Sequence, residues 1–156
     1  MSHLFMEGWQ AIKGLDPVAD AFEGTVYSDI VDMGEFERVA FIRHDGIGTT
    51  GTSTVTVEAC STITATATSA VPFHYRQILT GDTEGAITAA TATGFTTTAG
   101  SSKLVIAEVH ESAIAASGYR YVRAAFVQSV DAAVLGGVLI LGKKKVQRAA
   151  SASAID

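Results

Sequence analysis

The residues of this chain that could do chemistry are four histidines, one cysteine, an acidic cluster and one basic run. His3, His44, His74 and His110 lie far apart, and none stands at metal-ligand spacing from another His, Cys or carboxylate. No metal and no cofactor is expected from them. Asp29, Asp32, Glu35 and Glu37 form the densest group of acids. A carboxylate pair working as acid and base needs a cleft and divergent pKa values, which a strand edge does not supply. These four are therefore expected to be solvated strand ends. Cys60 has no evident base beside it, and the chain contains no Gly-x-Ser-x-Gly elbow. The loop Asp45-Gly46-Ile47-Gly48-Thr49-Thr50-Gly51 is glycine-rich but leads into a strand, whereas a phosphate cradle needs a following helix N-terminus. The reading is non-enzymatic. Lys143, Lys144, Lys145 and Arg148 are too few cations to argue for nucleic-acid binding and are expected instead at an interface, or blunting a sheet edge.

The elements that position these residues are strands. Thr54 to Cys60 alternates, with Val55, Val57 and Ala59 on one side and Thr54, Thr56, Glu58 and Cys60 on the other. Val71 to Leu79 alternates again after a small-residue loop. Thr25 to Met33 and Glu37 to His44 are expected as a hairpin turning at Gly34-Glu35, and Ala86 to Thr98 as short, irregular strands. Lys103 to Val109 is apolar on both sides, so it is expected to be buried on both faces. His110 to Gly118 reads as a helical turn closed by a glycine, Tyr119 to Val130 as an alternating strand and Val134 to Leu141 as the last strand. Turns at this interval indicate a sandwich or barrel, not βαβ units. The expected fold is all-β: a single-domain, two-sheet β-sandwich of jelly-roll type spanning residues 24–142, with an N-terminal arm at 1–23 and a short C-terminal extension at 143–156.

The arm carries Leu4, Phe5, Trp9 and Ile12 at a spacing compatible with a short amphipathic helix, followed by Asp16-Pro17 as a helix start. These four residues, with Phe22, are too few for a core of their own and more than a disordered tail needs. Trp9 is the expected anchor onto a neighbouring subunit or another protein.

Composition bounds the rest. A chain of 156 residues with 47% hydrophobic residues suffices for one domain with a real core. Charged residues make up only 17%, against roughly 25% in ordinary soluble domains, which suits a subunit covered by neighbours. The net charge is −5, divided as −7 over residues 1–37, −2 over 38–118 and +4 over 119–156, so the two ends can attract each other within or between subunits. With one cysteine no internal disulfide is expected, and Cys60 should be a small buried hydrophobe. The first residues lack the blocks of a signal peptide, and the longest apolar run, Ala132 to Gly142, is too short to cross a bilayer, so no membrane partner is expected.

Several stretches together resemble a family of small structural proteins of tailed phages. They are Arg-Val-Ala-Phe-Ile at 38–42, Thr-Val-Thr-Val-Glu-Ala-Cys at 54–60, Val-Pro-Phe-His-Tyr-Arg at 71–76, Gly-Phe-Thr-Thr-Thr-Ala-Gly at 94–100, Tyr-Arg-Tyr-Val-Arg at 119–123 and Val-Leu-Gly-Gly-Val-Leu at 134–139. The resemblance covers about residues 24 to 142. It implies a virion protein that cements or decorates the capsid exterior, made in the bacterial cytoplasm, with the major capsid protein and itself, as a homo-oligomer such as a trimer, for partners. The alternatives are a head–tail connector or tail protein, and a carbohydrate-binding sandwich presenting Tyr119, Tyr121 and Trp9.

Overall fold

A computed structural model of the chain describes residues 4–48, 50–79 and 81–146. In chain order the elements are α1 (Phe5–Gly8), β1 (Trp9–Val18), β2 (Thr25–Tyr27), β3 (Val31–Asp32), β4 (Phe36–Asp45), β5 (Thr52–Cys60), β6 (Thr68–Val71), β7 (Phe73–Ile78), β8 (Thr88–Ala90), β9 (Phe95–Thr96), β10 (Lys103–His110), α2 (Glu111–Ala116), β11 (Tyr121–Val130) and β12 (Gly136–Lys144). The strands form two antiparallel sheets, ordered β1-β12-β4-β10-β7-β8 and β2-β11-β5-β6, with β3 joining β11 and β9 joining β5.

The pairing makes this a jelly roll. β1 pairs β12, β2 pairs β11, β4 pairs β10 and β5 pairs β6, so the first half of the chain lies antiparallel to the second along its whole length. That long ribbon is rolled so that its pairs fall alternately into one sheet and the other. The roll explains where the expected hairpin fails. β2 and β3 pair with β11 in the second sheet, whereas β4 pairs with β12 and β10 in the first, so the turn at Gly34 crosses between sheets. Pro72 marks another crossing: it cannot donate to a ladder, and the chain passes there from β6 in the second sheet to β7 in the first.

Alternation sets the core. Val55, Val57 and Ala59 of β5 and Val122, Ala124 and Phe126 of β11 face Val39 and Phe41 of β4, Ala107 and Val109 of β10, and Val138 and Ile140 of β12 across the gap. Cys60 is fully buried, and burial pushes its thiol up to about 11. Between the sheets Arg43 is also buried, its guanidinium 3.6 Å from the centre of the Phe22 ring. It grips Asp45 with two bonds, Nε to Oδ1 at 2.7 Å and Nη2 to Oδ2 at 3.0 Å. Lys103, the register partner of Asp45 on β10, brings its Nζ to 3.6 Å from Asp45 Oδ2 and donates to the carbonyl of Thr98.

The first residues differ most from the sequence expectation. Only Phe5–Gly8 is helical, and Trp9–Val18 is an edge strand of the first sheet, in register with β12 from Trp9 opposite Lys143 to Val18 opposite Gly136. Gly14 explains the preference. A Cβ there would stand 2.8 Å from Ile140 and 2.9 Å from the Val138 carbonyl, so the glycine that weakens a helix is what lets this strand lie close on β12. The expected arm is thus built into the sandwich from Trp9 on, and Ala21 and Phe22 are core residues.

Candidate interaction surface

The two outer faces of the sandwich differ. On the second sheet the outward positions of β5 are Thr52, Thr54, Thr56 and Glu58, and those of β11 include Tyr121, Arg123 and Val127. Arg123 Nε donates to Glu58 at 2.8 Å and its guanidinium stacks 3.7 Å from the Tyr27 ring, while Thr54 bonds to Thr96 and Ser129. This is a polar, internally bonded surface.

On the first sheet the middle outward row is apolar across three strands. Leu139 of β12 sits opposite Ile42 of β4, which sits opposite Ile106 of β10, giving one continuous row. On one side of it Leu141 lies opposite Ala40, which lies opposite Glu108, and on the other Gly137 lies opposite His44, which lies opposite Leu104. Leu139 is 44% exposed and Leu135 43%, with Ile42, Leu104, Ile106 and Leu141 half-buried. Toward the Pro17 end this face sinks into a groove of about 580 Å³ walled by Leu15, Pro17, Ile42, Leu104, Leu135 and Leu139, with Lys13, Asp16 and His44 at its rim. A smaller hollow of about 330 Å³ lies farther across the same sheet, among His74, Tyr75, Arg76, Ile87, Ile106 and Glu108. β10 was expected to be buried on both faces; its inner positions are buried, and its outer ones are covered only by their neighbours on the sheet.

The expected interface residues divide. Leu4 and Phe5 are exposed at 61% and 59%, and with Met6 at 71% they form an apolar knob on α1 at the start of β1. Trp9 is half-buried and stacks on Phe5, centroids 6.0 Å apart and rings 8° from parallel. Ile12 does not belong to an interface: it points inward from β1 and is 7% exposed in the core. The lysines do not fringe a sheet edge, because β12 lies between β1 and β4. Lys143 pairs with Glu37 at 2.9 Å, Lys144 donates to the Met6 carbonyl at 3.2 Å, and Lys145 pairs with Glu111. They tie the knob and α2 to the sheet. Arg148 lies outside the described residues.

The charge asymmetry of the sequence is thus used within the chain. Lys143 and Arg38 hold the Glu37 carboxyl below its usual range, and Arg120, Nε to Oδ1 2.7 Å and Nη2 to Oδ2 2.5 Å, grips Asp32. Burial raises the Asp32 pKa, but the Arg120 bonds and the Gly34 N–H outweigh it, and the net shift is downward. Asp32 is 3% exposed, so it is a structural ion-pair partner and not the solvated strand end expected.

Among the described residues no three His, Cys, Asp or Glu side chains gather as a metal site. His110 caps α2, its Nδ1 accepting from the Ser112 N–H at 3.3 Å. The aromatics named for a glycan platform are not assembled into one: Trp9 is on β1 of the first sheet, Tyr121 on β11 of the second, and Tyr119 packs toward the core. No helix among the described residues is long and apolar enough to cross a membrane, which says nothing of strands.

The sequence reading missed Ile42, Leu104, Ile106, Leu135 and Leu139 as surface. A signal existed, since strands apolar on both sides in a sandwich leave one apolar row outside. Comparison with family models, with curated proteins and with solved structures found no match.

Proposed function

We propose that the protein is a non-enzymatic structural component of a tailed-phage virion, a cement or decoration protein that sits on the capsid exterior and binds the major capsid protein. The observation that carries this reading is the unequal pair of outer faces, one threonine-rich and internally bonded, the other apolar across β12, β4 and β10. A contiguous apolar face on a jelly roll is a surface built to be covered. Low charge and the stretches that resemble small tailed-phage structural proteins support the same reading, and a lattice multiplies many modest contacts into firm attachment. The test is the protein's location and copy number in purified particles, together with rebinding of the isolated protein to particles stripped of it. Hundreds of copies on the shell support cement. A single ring of copies at the portal vertex points to a connector or tail protein, and absence from particles removes the virion reading.

A further inference from the structure

Among the described residues three histidines stand on the outer side of the first sheet, and the register gives each a different setting. His110 shares a row with Arg38 and Lys143, brings its Nε2 to 3.9 Å from Glu37, and caps α2. His74 lies opposite Glu108, which also meets Arg38 at 3.5 Å, and the nearby Arg76 pairs with Glu84. His44 lies between Gly137 of β12 and Leu104 of β10, so neither neighbour across the sheet offers it a charge. It is exposed on the groove, among Leu15, Pro17, Leu104, Leu135 and Leu139, and no hydrogen bond or ion pair among the described residues holds it. The charges around it are used elsewhere. Arg43 and Asp45, its neighbours on β4, and Lys103 of β10 are buried together inside the sandwich. Lys13 and Asp16 of β1, the other ionisable residues of the groove, pair with each other at 3.8 Å.

We propose that His44 makes docking on this face proton-sensitive: a partner seated over the groove accepts the neutral ring and rejects the imidazolium. The inference rests on the shell-docking reading above and concerns how that contact is regulated. Docking takes His44 out of water into apolar surroundings. A neutral ring is tolerated there, whereas a cation buried without a counter-charge is costly. Proton uptake and docking therefore oppose each other, and by linkage acid weakens the contact. An imidazole in water gains its proton near pH 6.5, so a contact that admits only the neutral ring loses roughly tenfold in affinity by pH 5.5. His74 differs, because the Glu108 carboxylate beside it compensates a charged ring under the same partner.

The experiment is rebinding of the protein to purified particles stripped of it, measured at pH 8 and pH 5.5 for wild type, His44→Gln and His74→Gln. Both side chains are exposed, so the variants should keep the fold, which circular dichroism checks at each pH. Wild type should bind about tenfold more weakly at pH 5.5. His44→Gln, uncharged at both values, should bind equally at both, and should do so as tightly at pH 5.5 as wild type does at pH 8. His74→Gln should keep the wild-type response. Equal binding of wild type at the two pH values, tighter binding in acid, or a His44→Gln protein that still loses affinity would overturn the inference and leave shell docking standing. Failure of wild type to bind at pH 8 is the separate result that removes the docking reading, and the inference falls with it.

Discussion

Replacing Asp45 by Ala removes the one carboxylate between two buried cations. Arg43 and Lys103 are each 1% exposed and Asp45 is 0%, so no solvent replaces what the carboxylate supplies. In the intact cluster Arg43 gives Asp45 two bonds, at 2.7 and 3.0 Å, and Lys103 Nζ stands 3.6 Å away. The Phe22 face compensates the guanidinium in part, a desolvated cation–π contact being worth about 2 kcal/mol or more, but it supplies no hydrogen-bond acceptor. Breaking a buried ion pair by removing one partner costs about 3–5 kcal/mol. For a domain whose total stability is of the order of 5–15 kcal/mol, that is a large fraction. At about 2–4 °C per kcal/mol for this chain length, the midpoint should fall by roughly 6–20 °C. The assay is urea and thermal unfolding followed by circular dichroism, with a constant slope against urea showing that the same surface is exposed. The combined change Arg43→Met, Asp45→Leu and Lys103→Met should recover much of the loss, since apolar groups of similar volume often replace a buried ionic cluster without cost. A loss below about 1 kcal/mol for Asp45→Ala would refute the reasoning that the cluster is dry and that its two cations depend on the Asp45 carboxylate.

Other outcomes follow from single features. Lys103 is held below the usual lysine value of 10.5, first by burial, so the unfolded chain binds its proton more readily; the stability of wild type relative to Lys103→Met should rise as pH climbs through the interval below 10.5. Asp32 gives a slope of the same sign in the acid range: its lowered pKa makes the Arg120 contact stabilising above the ordinary aspartate range, and the advantage of wild type over Asp32→Asn should fade as pH falls through the acid range. Gly94→Ala should cost about 2 kcal/mol or more, because φ is +76° and the added Cβ would stand 2.0 Å from the Val55 carbonyl oxygen. Ile12→Ala should destabilise the monomer by about 2–4 kcal/mol in the same denaturation assay, whereas removing residues 2–8 should leave the fold intact, the reverse of what a free arm containing Ile12 would give.

Much of the fold could be read because alternation is a local signal. The faces of β5 and β11 follow directly from residues 54–60 and 119–130, and the same period locates Phe73 and Tyr75 against the core. What local signals do not carry is which strand pairs with which. Thr25 to Met33 and Phe36 to Asp45 are adjacent, β-rich and joined by a glycine turn, which is what a hairpin requires, yet both find their partners roughly sixty to a hundred residues later. β1 was misread for a related reason. Leu4, Phe5, Trp9 and Ile12 mimic a helical spacing, and the choice of strand is made by the exposed edge of β12 and the room that Gly14 leaves over Ile140, neither of which is visible within residues 1–18.

The candidate surface shows the same limit from the other side. A strand apolar on both faces has two explanations, burial in the centre of a layered fold or exposure that a partner ends, and the residues of β10 are equally compatible with each. The architecture removes the first. A jelly roll has two layers, so the outward row of Leu139, Ile42 and Ile106 has no third layer of its own chain above it among the described residues. Its apolar character is what the proposed docking of a partner rests on, and the threonine face on the other sheet, folded from the same chain, is the internal control. The lysines give the converse case: a run that reads as an outward-facing basic patch is spent on Glu37, Glu111 and the Met6 carbonyl, fixing the end of the sheet from which the knob projects.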